Sequence, residues 1–447
     1  MSEQQRRVAV IGSGPAGVYA AQALIEADVA VDVLDRLPAP FGLVRYGVAP
    51  DHPKIRSIAT TLAAVLADPR VRLFGNVEVG TDVTVAELHE RYDAVLFANG
   101  ASVDRRMGID GEDLPGSFSA TEFVSWYCGH PDAPVDRFAL AAESVAVIGA
   151  GNVAVDVARV LLRSAQELRE TDVPDHVVKV LDASAITDVH LLARRGPAQT
   201  RISTVELREL GRVANADVLI ADPAALELPT DVEDGLDGPQ RRNLATLRDW
   251  ADRFPQGRPR RLHVHFFRRP TQLIGSDMVS GVRSEHTAPV ADGQVSGTGR
   301  FSELPAQLVL RAVGYRGFPV PGMPFDTDRG VIPNVDGRVL RDGTPAAGEY
   351  VAGWIKRGPT GVIGTNKHDA RETVTALLGD LPTLRPAPAG GSGALPALLG
   401  ERRVHVVDWA GWELIELAET ELGRAQGRVR SKIADRAALL AAARGPR

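Results

Sequence analysis

The chain has 447 residues, 44% hydrophobic and 24% charged, a profile that excludes disordered and fibrous classes and allows two or three domains. Its formal net charge of -6 gives no general attraction to nucleic acid or to an anionic membrane, and no apolar run is long enough to span a bilayer. Cys128 is the only cysteine, so an intramolecular disulfide, a cysteine-ligated iron–sulfur cluster and a Cys-x-x-Cys redox pair are all excluded. No metal site is expected, and a start that leads straight into a strand suggests a cytosolic protein.

Residues 7–11 read as a fully buried strand, 16–26 as a helix and 30–34 as the strand that completes a βαβ unit. The connection is Gly12-Ser13-Gly14-Pro15-Ala16-Gly17. In such a loop the first glycine turns the chain off the strand, the second lets backbone approach a pyrophosphate, and the third position must be small so that helix packs on strand. Asp35 falls where an acid meets a ribose hydroxyl. The apolar run 94–98 closes this first unit at Asn99-Gly100, and a new domain is expected to begin near Arg105.

The same five residues, Val-Ala-Val-Ile-Gly, lead into a second loop, Gly149-Ala150-Gly151-Asn152-Val153-Ala154. A helix is predicted over 153–168 and a strand over 188–192. At that strand's end stand Arg194 and Arg195, where an NAD-specific site would carry a carboxylate. Arginine forks match phosphate, so this unit should prefer the 2'-phosphate of NADP. Arg194 lies about twice the usual interval of roughly 20 residues beyond the loop, which an insertion over 167–182 would absorb.

Further strands are predicted over 308–312 and 350–353. The stretch 353–364 follows, with Gly358, Gly361 and Gly364 allowing close backbone approach to a flat ligand, and a helical run over 367–378. If the second unit takes the nicotinamide dinucleotide, the first is left for a flavin adenine dinucleotide. Residues 385–394 read as a flexible linker, and the tail from 395 onward as mostly helical. The order implies an α/β chain with two Rossmann-like dinucleotide-binding domains, the NADP domain inserted into a discontinuous FAD domain. The expected division is 1–104, 105–322 and 323–447.

Several stretches resemble the adrenodoxin-reductase-like ferredoxin NADP reductases: 40–54 (PFGLVRYGVAPDHPK), 149–159 (GAGNVAVDVAR), 194–197 (RRGP), 206–210 (ELREL) and 353–367. The resemblance implies a flavoprotein in which NADPH gives a hydride to FAD, and FAD gives single electrons to a ferredoxin-type protein. It implies FAD contacts from Gly12, Gly14, Ala16, Gly17, Asp35, Leu43, Val79, Arg105, Trp354, Gly361, Val362 and Ile363. NADP contacts are implied for Gly151, Asn152, Val153, Ala154, Arg194, Arg195, Glu206 and Gly361. His52 and Glu206 match positions close to flavin and nicotinamide, and Glu209, one helical step on, is a second candidate partner for His52.

The chain departs from the family's pattern in having Asp35 for the usual Glu, in the stretch Thr200-Arg201-Ile202-Ser203, and at His368. An arginine-rich segment, 241–269, would suit an acidic ferredoxin, and a monomer is expected. The alternatives are an NADPH-dependent flavin oxidase or monooxygenase, or the NADPH input module of a multi-subunit enzyme. The missing cysteines argue against such a module and against a disulfide reductase.

Overall fold

Runs of Val, Ala, Ile and Leu without polar alternation make strands buried on both faces, and these form parallel sheets covered by helices. The computed structural model describes residues 5–200, 202–290 and 294–445; Arg201 lies outside the described residues. In chain order, β1 (Arg7–Ile11), helix α1 (Pro15–Glu26), β2 (Ala30–Asp35), β3 (Val71–Gly75) and β4 (Ala94–Phe97) lay down one sheet. The chain leaves through β5 (Val103–Asp104).

It then forms β6 (Ser117–Ser119), β7 (Ser144–Ile148), helix α2 (Asn152–Leu162), β8 (Asp188–Leu192), β9 (Ala216–Ile220) and β10 (Arg260–His265). A meander follows, of β11 (Arg268–Gly275), β12 (Val279–Pro289) and β13 (Val295–Pro305), before β14 (Leu308–Arg311) rejoins the second sheet. Return is through β15 (Tyr315–Arg316), which pairs antiparallel with β5, to β16 (Asn334–Val335), β17 (Arg338–Arg341) and β18 (Thr344–Val351).

The first sheet has the order β16-β17-β18-β4-β1-β2-β3 and the second β6-β14-β7-β8-β10-β9. In each, the strand that feeds a glycine loop lies between its own βαβ partner and a strand on the other side, so both loops stand at switch points where crevices open. The paired interdomain crossings β5 and β15 hold the sheets in one chain.

The strand expected over 350–353 is the longer β18, Thr344–Val351, which ends before Ala352, and two further details differ from the sequence expectations. The helix predicted over 153–168 ends at Leu162 because Ser164 caps a new one (Ala165–Arg169), accepting from the Glu167 amide while Glu167 reaches back to the Ser164 amide. That helix and a further one (Asp175–Asp182) supply the expected insertion. The proposed linker is docked rather than free: Ala387 donates to Asp93 and Ala389 to the Glu90 carbonyl. The tail is helical over Ala394–Glu401, Trp409–Ala425 and Arg436–Ala442 and reaches both units, with buried Lys432 donating to the carbonyls of Arg45 and Cys128.

The glycines separate packing from ligand approach. A Cβ on Gly17 would stand 1.9 Å from the Gly12 carbonyl oxygen, whereas one on Gly151 would meet nothing within 4 Å. Gly17→Ala should therefore destabilise the fold by roughly 1–3 kcal/mol through overpacking, and Gly151→Ala should stay within about 0.5 kcal/mol of the parent. Chemical denaturation of the two variants checks this; equal midpoints would refute it.

Candidate active site

Gly12 takes a φ of +108°, and a Cβ there would stand 2.6 Å from the Ala98 carbonyl oxygen; Gly149, at +137°, is held the same way under Ala312. Only glycine fits either turn. The helices that follow, α1 and α2, have Gly14 and Gly151 as N-caps and so no side-chain cap, which leaves their first-turn amides free for an anion.

Both loops open into one cavity of about 1630 Å³, well above the roughly 300–1,000 Å³ of a typical single-ligand pocket. Gly12, Gly14, Ala16, Asp35, Leu43, Val79, Trp354, Gly361, Val362 and Ile363 line it from the first unit's side, and Arg105 lines it at the crossing between the units. Gly151, Asn152, Val153, Ala154, Arg194, Arg195 and Glu206 line it from the second. Gly17 does not reach the cavity, since it packs behind the loop. The site fits two dinucleotides on a further ground. Trp354 Nε1, both amide atoms of Asn99 and Gln199 Oε1 are buried without a partner among the described residues, and all three side chains face this cavity.

Asp35 does more than wait for a ribose. Its Oδ2 accepts from the Ser13 amide (2.8 Å) and hydroxyl (2.6 Å), and Oδ1 accepts from the Leu37 amide (2.9 Å). The carboxylate thus shapes the phosphate loop and keeps a remaining lone pair for a hydroxyl. By contrast, the guanidiniums of Arg194 and Arg195 have no side-chain partner among the described residues, which leaves ten N–H donors for an incoming anion. The helix expected from 367 begins earlier, at Ile363 (Ile363–Asp380), so Val362, Ile363 and Gly364 present its N-terminus to the cavity.

Where the two units meet, a buried ion network lies against the cavity. His52 comes from the Pro-bounded loop of the first unit. Its Nε2 is 2.9 Å from Glu206 Oε2 and 3.3 Å from Asp156 Oδ1, and its Nδ1 is 3.2 Å from Glu209 Oε2. Glu206 and Glu209 share a face of the helix Thr204–Leu210, capped by Ser203, whose own amide donates to Asn152 Oδ1. His52, Asp156 and Glu206 line the cavity, while Glu209, 40% exposed, holds the ring from outside.

Arg159 lies at the centre with its side chain 0% exposed. It donates to Asp51 (2.7 Å), Asp156 (2.8 Å) and Glu206 (2.8 Å) and contacts His52 Nε2. His52, Glu206 and Glu209 bring metal-ligand atoms together, but the guanidinium already supplies the cation there. The roles of Asp51, Asp156 and Arg159 were not picked out from sequence. The available signal was a charged pair three residues apart inside the otherwise apolar run NVAVDVARVLL.

Burial alone would lower the His52 pKa, but hydrogen bonds to Asp156 and Glu206 outweigh it and the Arg159 charge, pushing it up from 6.5 to about 9. Glu206 responds in the opposite sense: burial would raise its pKa, yet His52 and Arg159 bring it below the ordinary carboxylate value. Asp156 is shifted upward, because burial prevails over His52 and Arg159. The wall of the cavity therefore holds a proton on His52 at neutral pH.

Two Rossmann-type units sharing one cavity define a two-domain FAD/NADP oxidoreductase. A model of the pyridine nucleotide-disulphide oxidoreductase family matches residues 6–201. The chain is 45% identical over 451 residues to NADPH-ferredoxin reductase FprA of Mycobacterium tuberculosis, covering 97% of this chain and 98% of that one. It is 38% identical to the mitochondrial NADPH:adrenodoxin oxidoreductase of Homo sapiens, over 97% and 91% of the two chains. A solved structure of M. tuberculosis FprA in complex with NADPH matches with a TM-score of 0.93 over 99% of this chain and 100% of that one, at 43% identity. The chain belongs to the NADPH-ferredoxin and adrenodoxin reductase family.

A histidine whose pKa is raised on folding stabilises the fold fully below its unfolded value and loses that contribution as pH rises through the folded one. The parent protein should thus lose thermal stability between pH 6.5 and about 9 in a way that His52→Gln does not. Melting curves across that range test it, and superimposable pH profiles would show that the folded ring is uncharged.

Proposed function

We propose that this enzyme takes a hydride from NADPH onto FAD and passes electrons one at a time to a ferredoxin-type iron–sulfur protein. The observation that carries the reading is the single cavity into which both glycine loops open, with an acid closing one unit and two arginines the other. FAD and NADP are the cofactors. Bound FAD supplies a ring that accepts two electrons together and releases them singly.

In this reading the first loop and the N-terminus of α1 hold the FAD pyrophosphate, Asp35 a ribose hydroxyl, and Leu43, Val79, Arg105, Trp354 and Gly361–Ile363 the rest. Gly151 to Ala154 hold the NADP pyrophosphate, Arg194 and Arg195 the 2'-phosphate, and Gly361 the nicotinamide end. Hydride transfer needs close positioning rather than a protein acid or base. His52 keeps a proton at the cavity wall, Glu206 orients that proton on Nε2, and Glu209 fixes Nδ1.

The division 1–104, 105–322 and 323–447 is supported by the sheets: strands within 7–97 and 334–351 make one, and strands within 117–311 the other. Both glycine loops and all the lining of this cavity come from one chain, so a monomer suffices. A cytosolic setting accords with a single, buried cysteine, and no helix among the described residues is long and apolar enough to cross a membrane. For the partner surface the segment 241–269 narrows. Arg248, Arg253, Arg258, Arg261 and Arg269 are paired with Glu233, Asp249, Asp217, Asp188 and Glu285, and Arg260 is buried against carbonyls. Half-buried Arg268 donates to the Phe267 carbonyl, and exposed Arg241 and Arg242 remain the charges offered to an acidic ferredoxin.

The test is ferredoxin-dependent reduction of cytochrome c by the purified flavoprotein. Turnover should require added ferredoxin and prefer NADPH to NADH. Because a charge-assisted hydrogen bond is worth roughly 1.5–3 kcal/mol, Arg194→Ala and Arg195→Ala should each cut kcat/KM for NADPH about tenfold or more while sparing NADH. Ferredoxin-independent turnover, or equal losses with both nucleotides, would refute the assignment.

A further inference from the structure

We propose that Arg269, held ready by Glu285, is a third cation for the 2'-phosphate of NADP(H); this rests on assigning NADP to the second unit. The loop that carries Arg194 and Arg195 is fastened to the start of the meander. Arg268 donates its amide to the Ala193 carbonyl (2.9 Å), Phe267 its amide to the Arg195 carbonyl (3.3 Å), and Thr287 its hydroxyl to the Arg194 carbonyl (2.7 Å). Gly196 completes the joint by packing on the Phe267 ring, where a Cβ would stand 2.2 Å from Cζ.

Arg269 is the next side chain along, and it lines the same cavity as Arg194, Arg195 and Gly196, whereas Phe267 and Arg268 do not. The arginine run that looked in sequence like a partner surface therefore delivers one member inward to the nucleotide. Arg269 and Glu285 are register partners on β11 and β12, and the Arg269 Nη2 donates to Glu285 Oε2. Glu285 Oε1 accepts from the Gly299 amide at 3.1 Å.

Exposure of the pair is unequal. The Glu285 side chain is 12% exposed and the Arg269 side chain 45%, so the carboxylate is anchored below while the outer edge of the guanidinium stays open. A planar fork with four uncommitted N–H groups suits a phosphate dianion and gains little from the bare hydroxyl that NAD offers at the same place. Glu285 then has two opposing effects. It orients the guanidinium, and it competes with the phosphate for its charge.

An ordinary cross-strand ion pair and a phosphate clamp differ in what breaking each half does. Both Arg269→Gln and Glu285→Gln destroy the same pair, so any shared cost to folding appears equally in both melting temperatures. Only the clamp separates them in nucleotide binding. The oxidised holoenzyme of each variant is titrated with NADP+ and with NAD+, following the flavin difference spectrum. Arg269→Gln should raise the Kd for NADP+ about tenfold and leave NAD+ unchanged. Arg269→Lys, which keeps charge without the fork, should fall between, and Glu285→Gln should leave NADP+ as tight as in the parent or tighter.

Arg195→Ala is the reference. If it abolishes the preference for NADP+ while Arg269→Gln does not, or if Glu285→Gln weakens NADP+ as much as Arg269→Gln, Arg269 is only half of a surface pair. If neither arginine variant alters the preference, the NADP assignment of the second unit is itself wrong.

Discussion

The Arg159 guanidinium is the constraint on which the arrangement of the site depends. A fully buried cation is tolerable only when its charge and donors are met, and removing one partner of such a pair typically costs roughly 3–5 kcal/mol. Arg159 finds Asp51 in the first unit and Asp156 and Glu206 in the second. Separating the two units, or rotating one against the other, would strip Asp51 from that charge and leave it only Asp156 and Glu206 of its own unit. The network thus ties the first unit to the second through Asp51 and His52, and its carboxylates raise the pKa of His52.

Around that joint the units use one backbone design with opposite electrostatics. Each turns a buried strand through a left-handed glycine into an uncapped helix, which is a general receptor for pyrophosphate. The discriminating charges lie at the end of the following strand. Asp35 is already engaged by Ser13 and Leu37, so it suits a neutral hydroxyl and repels phosphate. Arg194 and Arg195 are uncommitted and suit a dianion. In the proposed reading, different dinucleotides are thereby sorted to different ends of one cavity, with their reacting ends meeting between them.

Much of this was readable in sequence because it rests on local rules. Continuous apolar runs located β1, β2, β4, β8 and β14 closely, and the two loops located both crevices. The excess length before Arg194 pointed to an insertion, found as two short helices. What was not readable depends on partners distant in sequence. A guanidinium at position 159 looks solvated until Asp51 is known to lie against it, and the meander β11–β13 has the mixed polarity of a surface sheet rather than a core pattern. The arginines of 241–269 looked like a patch because their carboxylate partners are scattered from Asp188 to Glu285. Resemblance to a known family, carried by the stretches at 40–54 and 353–367, added the expectation that His52 lies close to flavin and nicotinamide, which residue chemistry alone left open.

The claim that the buried network sets the meeting of the two cofactors is tested most directly by single-turnover flavin reduction in Arg159→Lys, a change that keeps the charge and loses the fork. Stopped-flow mixing of the FAD-loaded variant with NADPH should show reduction slowed at least about tenfold, with the Kd for NADP+ close to that of the parent. A folded, FAD-loaded variant that is reduced at the parent rate would contradict the account.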